Sequence, residues 1–228
     1  MNGKLIIIEG LDGSGKSTQI KLLSEKIKSG GLSARFITFP DYNSLSGKII
    51  AEYLKGEYCG LNEPDGAYAA SCFYAADRYI SFKTDWSKNY YAGVSIISAR
   101  YTSSNLIYQT AKLPREKWDD YFKWLRDFEY GKLGLPKADA VIYLDMPPDI
   151  SRGLLNKRYE ENGGGKDLHE ADNNYIETCE KAAFYAAEKE NWIKISCARD
   201  GRPREVEDIN TELLNIIGEI LNDRIQGR

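Results

Sequence analysis

Five short apolar runs recur along the chain, and the stretches between them carry a different period. The runs are Leu5–Ile8, Ala34–Phe39, Val94–Ser98, Ala140–Asp145 and Trp192–Ser196, all rich in β-branched or aromatic residues. Pro40 follows the second and Pro147-Pro148 follow the fourth. Short, continuously apolar segments with such stops read as strands buried on both faces. The intervening stretches repeat apolar residues at helical spacing. Thr18–Lys28 carries Ile20, Leu23 and Ile27 and ends at Gly30-Gly31. Lys117–Tyr130 carries Trp118, Tyr121, Phe122, Leu125 and Phe128, with Pro114 suited to its start. Val206–Ile220 carries Ile209, Leu213, Ile216 and Ile220. Strands alternating with helices predict an α/β class: a three-layer fold, five-stranded parallel sheet with helices on both faces, in a single domain over residues 1–228. Ligands of such sheets lie at the carboxyl ends of the strands. That directs attention to Asp12, Pro40-Asp41-Tyr42, Arg100-Tyr101 and Asp145.

The segment after the first run, Gly10-Leu11-Asp12-Gly13-Ser14-Gly15-Lys16-Ser17, fits the pattern G-x-x-x-x-G-K-[ST]. It stands between a strand and a helix, the setting in which that pattern has physical meaning. Glycines let successive N–H groups converge on one anion, and the helix N-terminus adds partial positive charge. Lys16 reaches β- and γ-phosphates, and the Ser17 hydroxyl is placed to ligate Mg²⁺. The expectation is a P-loop NTPase fold that binds a nucleoside triphosphate through Gly10 to Thr18, read as ATP once the resemblance below is added.

Composition narrows the setting. The chain has 228 residues and a net charge of −3, which excludes an overall basic footprint for nucleic acid or an anionic membrane surface. No apolar run approaches the ~20 residues of a membrane span. Cys59, Cys72, Cys179 and Cys197 are scattered without a C-x-x-C pair, so they read as reduced thiols of a cytoplasmic protein. His169 is the only histidine, which argues against His-based metal sites or triads. Residues 152–172 combine Arg152, Lys157, Arg158 and Lys166 with Gly163-Gly164-Gly165. This stretch reads either as a plain solvated loop or as a mobile basic lid over the phosphates.

Several segments together resemble the thymidylate (dTMP) kinase family. They are Glu9–Thr18, Phe39-Pro40, Phe73–Arg78, Arg100–Asn105 with Tyr108, and Leu135–Asp145. The resemblance implies transfer of the γ-phosphoryl group of ATP to dTMP, Mg²⁺ as cofactor, and a homodimer. It also implies roles. Tyr74 stacks on thymine, Arg78 bonds a thymine carbonyl, Asn105 meets the base edge, Tyr108 packs on the deoxyribose, and Arg100 grips the monophosphate. Asp12, Phe39, Pro40 and Tyr42 complete that site. By spacing alone, Tyr74 and Tyr108 read as core aromatics and Arg78 as half of a surface ion pair with Asp77. Only the joint pattern makes them site candidates.

The phosphate loop contains no arginine, so the lid is expected to supply transition-state charge, from Arg158 and Arg152 first. The catalytic set is then Lys16, Arg100, Arg158, Arg152 and Asp12. Two positions depart from the family pattern. Ala99 stands where an aspartate usually precedes Arg-Tyr, which leaves Ser17 and Asp12 as the expected metal ligands. Asp41 stands in a segment that often carries an arginine. Asp41 leaves the exact acceptor open, so another deoxynucleotide or nucleoside kinase stays a second reading, and Ala99 keeps open a third, a nucleotide-binding pseudoenzyme with weakened catalysis.

Overall fold

The computed structural model describes residues 2–30, 33–58, 66–162 and 172–226. Among them a five-stranded sheet is built from β1 (Leu5–Glu9), β2 (Ala34–Thr38), β3 (Ser95–Ala99), β4 (Ala140–Asp145) and β5 (Ile193–Ser196). Its order is β2-β3-β1-β4-β5, and every pairing is parallel. Helices on both sides explain the apolar runs of β1, β3 and β4, whereas the edge strands β2 and β5 are only half-buried or largely exposed, so the expectation of burial on both faces fails there. Ile6 and Ile8 join a cluster with Leu23 and Ile27 of α1 (Lys16–Ser29) and Ile209, Leu213 and Ile217 of α9 (Val206–Gln226). Leu5 and Ile7 point to the opposite face, where Phe82, Trp86 and Tyr90 pack. Alternation along β1 thus feeds two cores, and no position on the strand is left for a polar side chain until Glu9.

The second face is covered by α3 (Gly66–Ser81), which continues through a π-helical turn at Phe82–Trp86 into α4 (Ser87–Tyr91). A third cluster joins α5 (Thr102–Tyr108), α6 (Trp118–Arg126) and α8 (Asn173–Lys189) around Tyr121, Phe122, Leu125 and Ala183. The helix predicted over 117–130 is α6 with a 3₁₀ turn before it and a π-helical segment, Asp127–Lys132, after it. Short α2 (Leu45–Leu54) follows β2. A small antiparallel hairpin, β6 (Ala198–Arg199) with β7 (Arg202–Pro203), precedes α9.

One expectation needs correction. The stretch from Arg152 onward is not loop at its start: α7 spans Pro148–Asn162, so Arg152, Lys157 and Arg158 lie on a helix. Helix-favouring Arg, Leu, Lys and Glu dominate those positions, and Gly153 is tolerated within the second turn. Gly163 to Gly165, Lys166 and His169 lie outside the described residues, as does Cys59.

Trp86 is fully buried and meets Phe82 at 4.6 Å and Tyr101 at 6.5 Å between ring centroids. Trp86→Ala should cost about 3–5 kcal/mol. Urea unfolding checks this: the midpoint should fall while the slope with denaturant is unchanged.

Candidate active site

The loop after β1 is shaped by its glycines. Gly13 has φ 80°, and a Cβ there would lie 2.5 Å from the Ser151 carbonyl oxygen of α7. Only glycine allows that approach. Gly15, at φ 85°, caps α1 without a side-chain hydrogen bond, and the first turn of α1 holds no acidic residue. Its N–H groups and positive dipole end are therefore left for an anion. Lys16 Nζ donates to Gly10 O at 2.6 Å and Leu11 O at 2.9 Å, lying across the loop. α1 is itself anchored to α9 through Asn210 Nδ2, which donates to Gln19 O at 3.0 Å and Gln19 Oε1 at 2.9 Å. The whole Asp12–Thr18 stretch lines a cleft of about 530 Å³, together with Thr38, Ala99 and Arg100.

Arg100 follows β3 with φ 65°, in the left-handed region that a non-glycine residue enters only when held there. Ser98 Oγ donates to Arg100 O at 2.7 Å, and Arg100 N donates to Ile8 O at 3.1 Å. This turn sends the guanidinium to Asp12, whose Oδ1 accepts from Arg100 Nη2. Tyr108 Oη donates to Asp12 Oδ2 at 3.2 Å, and the guanidinium carbon stands 5.0 Å from the Tyr108 ring centre. Burial opposes the Arg100 charge, but Asp12, Tyr108 and Glu9 together outweigh it, so the pKa rises well above its ordinary value.

Asp12 and Arg100 also line a second cleft, of about 210 Å³. All nine residues expected at the dTMP site line it: Asp12, Phe39, Pro40, Tyr42, Tyr74, Arg78, Arg100, Asn105 and Tyr108. Arg78 does not pair with Asp77. Asp77 accepts from Asp41 N at 3.0 Å, Ser44 Oγ at 3.0 Å and Ser46 Oγ at 2.6 Å, tying the β2–α2 turn to α3. Arg78 is fully buried and pairs with Glu129, Nε to Oε2 at 2.7 Å and Nη2 to Oε1 at 2.5 Å. Asp41 is absorbed by its own turn, where its Oδ1 accepts from Asn43 N at 3.1 Å.

Glu129 was not singled out from the sequence, although a signal exists. It lies four residues after Leu125, on the buried side of an apolar helix, where a carboxylate must have a partner. Glu9 is the second residue missed. Fully buried at the end of β1, it accepts from Ser103 Oγ at 2.8 Å and Ser104 Oγ at 2.6 Å and so fixes the first turn of α5. Asp145 lines neither cleft. Arg152 pairs with Asp149 and faces a small cavity shared with Asp12 and Tyr108. The side chain of Arg158 lies outside the described residues. Among the described residues, no group of three or more His, Cys, Asp or Glu is placed to hold a metal.

A phosphate-binding loop at the carboxyl edge of a parallel sheet, with a second cleft opening from the same Asp12–Arg100 pair, defines a P-loop nucleotide phosphotransferase. The family model described as thymidylate kinase matches residues 8–209. A thymidylate kinase of Plasmodium falciparum is 28% identical, over 96% of this chain and 91% of its own length. One from Mycobacterium tuberculosis is 32% identical, over 74% of this chain and 78% of its own. Among solved structures, thymidylate kinase from Candida albicans has the same fold, with a TM-score of 0.69 at 22% identity, covering 96% of this chain and 92% of that one. The chain belongs to the thymidylate kinase family.

Behind the second cleft, Lys112 Nζ donates to Tyr53 Oη, and the Tyr53 ring meets Tyr74 edge-on at 6.3 Å. Burial lowers the Lys112 pKa from 10.5 to about 8. Between pH 8 and 10.5 the unfolded chain keeps this proton and the native chain releases it, so this group adds stability as pH rises. Burial of Cys179 and Cys197 acts in the opposite direction, because their thiols stay protonated in the native state. The difference between the wild type and Lys112→Met isolates the lysine. From pH 8 to 9.5 that difference should shift by about 1–2 kcal/mol in favour of the wild type, measured by urea unfolding at each pH.

Proposed function

We infer that this chain transfers the γ-phosphoryl group of ATP to dTMP, giving dTDP and ADP. The observation that carries the reading is the sharing of Asp12 and Arg100 by the two clefts. A donor phosphate on the loop and an acceptor phosphate on Arg100 would face each other across that pair.

The acceptor is a phosphate oxygen, already anionic near neutral pH, so no general base is required. Catalysis then rests on positioning and on charge. Arg100 offers its planar fork to the monophosphate, and Asp12 with Tyr108 holds that fork in place. Lys16 needs only a side-chain rotation to move from the loop carbonyls to the β- and γ-phosphates. Arg152 and Arg158, on α7 beside the loop, are the cations assigned to the transferring group. Tyr74 offers a ring face to the base, while Arg78 and Asn105 offer polar atoms to its edge.

The loop suits magnesium in part. Ser17 is exposed in the first turn of α1, while both Asp12 oxygens face the acceptor side. Mg²⁺ with ATP would supply charge neutralisation on the phosphates, and Ser17 would hold it, with Asp12 as the neighbouring carboxylate. The homodimer implied by the resemblance is kept as part of this reading. Leu45 and Ile49 on α2 and Tyr79 and Ile80 on α3 expose apolar surface that a second copy would cover. No helix among the described residues is long and apolar enough to cross a membrane. A cytoplasmic location follows from the family reading. The two rival readings, a different nucleoside kinase and a pseudoenzyme, gain no support from the comparisons.

An acceptor panel of dTMP, dUMP, dCMP, dGMP and thymidine with MgATP tests the reading, with dTMP expected to be used best. Lys16→Met should lower turnover by at least about 10³-fold with the fold intact. Near-normal ADP release by that variant would remove Lys16 from the mechanism. Ala99→Asp places a carboxylate at the end of β3, in the cleft that holds Ser17. It should lower the Mg²⁺ concentration needed for half-maximal ATP binding about tenfold, or ~1.4 kcal/mol, as read by calorimetric titration at fixed ATP.

A further inference from the structure

We propose that Glu129 is a positioning residue which, through Asn105 and Arg78, fixes the choice between a thymine and a cytosine edge. The inference rests on the reading above, that the base of dTMP occupies the cleft lined by Tyr74, Arg78 and Asn105.

Glu129 is fully buried and all of its hydrogen bonds are donated to it. Oε2 accepts from Arg78 Nε at 2.7 Å and Thr102 Oγ1 at 3.0 Å. Oε1 accepts from Arg78 Nη2 at 2.5 Å and Asn105 Nδ2 at 3.1 Å. Each carboxylate oxygen accepts from the guanidinium fork and from a second donor, so the Asn105 amide meets an acceptor there. The second neighbour of the Asn105 amide is also an acceptor, the Ser71 carbonyl oxygen at 3.5 Å. Turning the amide over would set Asn105 Oδ1 against two oxygens and forfeit both bonds. Nδ2 is therefore pinned inward. Asn105 lines the cleft, so Oδ1 is the polar atom it presents there.

Arg78 is constrained by the same carboxylate. Its Nε and one Nη2 hydrogen are spent on Glu129, Nη1 reaches Tyr101 O at 3.3 Å, and what remains toward the cleft is N–H alone. The wall thus offers an acceptor from Asn105 beside a donor from Arg78. Thymine presents a complementary edge: N3–H donates and its flanking carbonyl oxygens accept. Cytosine reverses both positions, with an unprotonated N3 and an amino group at C4. Against this wall its N3 lone pair would meet Oδ1 and its amino group would meet a guanidinium. A buried site built for one hydrogen-bond pattern rejects the reversed one strongly, because its own groups are then left unpaired.

The test compares kcat/KM for dTMP and dCMP, with a thermal melt on every variant. The wild type should favour dTMP by about 10³-fold or more. In Glu129→Gln the new amide can donate to Asn105 Oδ1, which frees the asparagine to turn its Nδ2 to the base. That variant should narrow the dTMP-to-dCMP ratio at least about tenfold. Glu129→Asp keeps the charge that Arg78 requires and withdraws the oxygen from Asn105. It should narrow the ratio in the same direction, and it reports if the glutamine variant does not fold. Thr102→Val removes a bond from the other carboxylate oxygen and should leave the ratio within about threefold. If Glu129→Gln and Glu129→Asp lower both acceptors by one common factor, Glu129 is merely structural and the proposal falls. A wild type that makes no dTDP overturns the functional reading itself, an outcome visible before any variant is made.

Discussion

A guanidinium cannot be buried alone, and much of this molecule is arranged around that fact. Arg78 has almost no exposure, and Glu129 has none. Removing either partner of such a pair strands a charge in a low dielectric, a loss of about 3–5 kcal/mol. The pair joins two parts of the chain that are distant in sequence: α3, which carries Tyr74 and Arg78, and the π-helical segment after α6, which carries Glu129. Thr102 and Asn105 of α5 bind the same carboxylate. One buried charge pair therefore registers three helices against each other. The second cleft is the space that they leave.

The second constraint is the Asp12–Arg100 contact, which registers the phosphate loop against the end of β3. Arg100 reaches Asp12 because its backbone takes the left-handed turn, and that turn is held by Ser98 and by the β1 carbonyl of Ile8. β1 supplies both the loop and the partner that bends the neighbouring chain. Glu9, one residue further along β1, binds the serines that open α5. The two clefts share their edge because consecutive residues of one strand organise both. A sheet of order β2-β3-β1-β4-β5 places β1 centrally, so its carboxyl end can serve both neighbours.

Much of this was legible in the sequence. The five strands are short, mostly apolar runs, two of them stopped by proline and one by glycine, a signal that survives without tertiary information, and their boundaries move by only a residue or so in the structure. The loop was legible because its glycines and Lys16 have one physical use together. That these residues share one cleft was legible only through resemblance, since Tyr74, Arg78, Asn105 and Tyr108 have no local pattern that separates a cleft wall from a core. What remained hidden shares one property: its meaning depends on a partner far along the chain. Glu129 serves Arg78 across 51 positions, and Asp77 serves Ser46 across 31. Arg78 beside Asp77 suggested a local ion pair, yet adjacent residues on a helix point in different directions and each found its partner elsewhere. The start of α7 was misread for the opposite reason. Glycines at 163–165 coloured the reading of residues 152–162, whose own composition is helical.

Ala99 gains a different meaning within this arrangement. It ends β3 in register with Ile8 on one side and Thr38 on the other, its carbonyl accepting from Phe39 N at 2.9 Å. The backbone at this position is therefore fully used by the sheet, and the methyl group removes only a side-chain charge. Of the described residues that line the two clefts, the acidic ones are Asp12 and Glu205, and Asp12 alone belongs to both. A carboxylate at position 99 would have shared the balancing of Arg100 and Lys16. Among the described residues Asp12 is the ion-pair partner of Arg100 where the clefts meet, so a neutral residue at 99 leaves more positive charge where two phosphate groups would be brought together. In a reaction whose acceptor is already anionic, that excess favours bringing the phosphates close. On the proposed reading, a neutral side chain at position 99 would favour attraction between the phosphates and this site over coordination of a divalent cation.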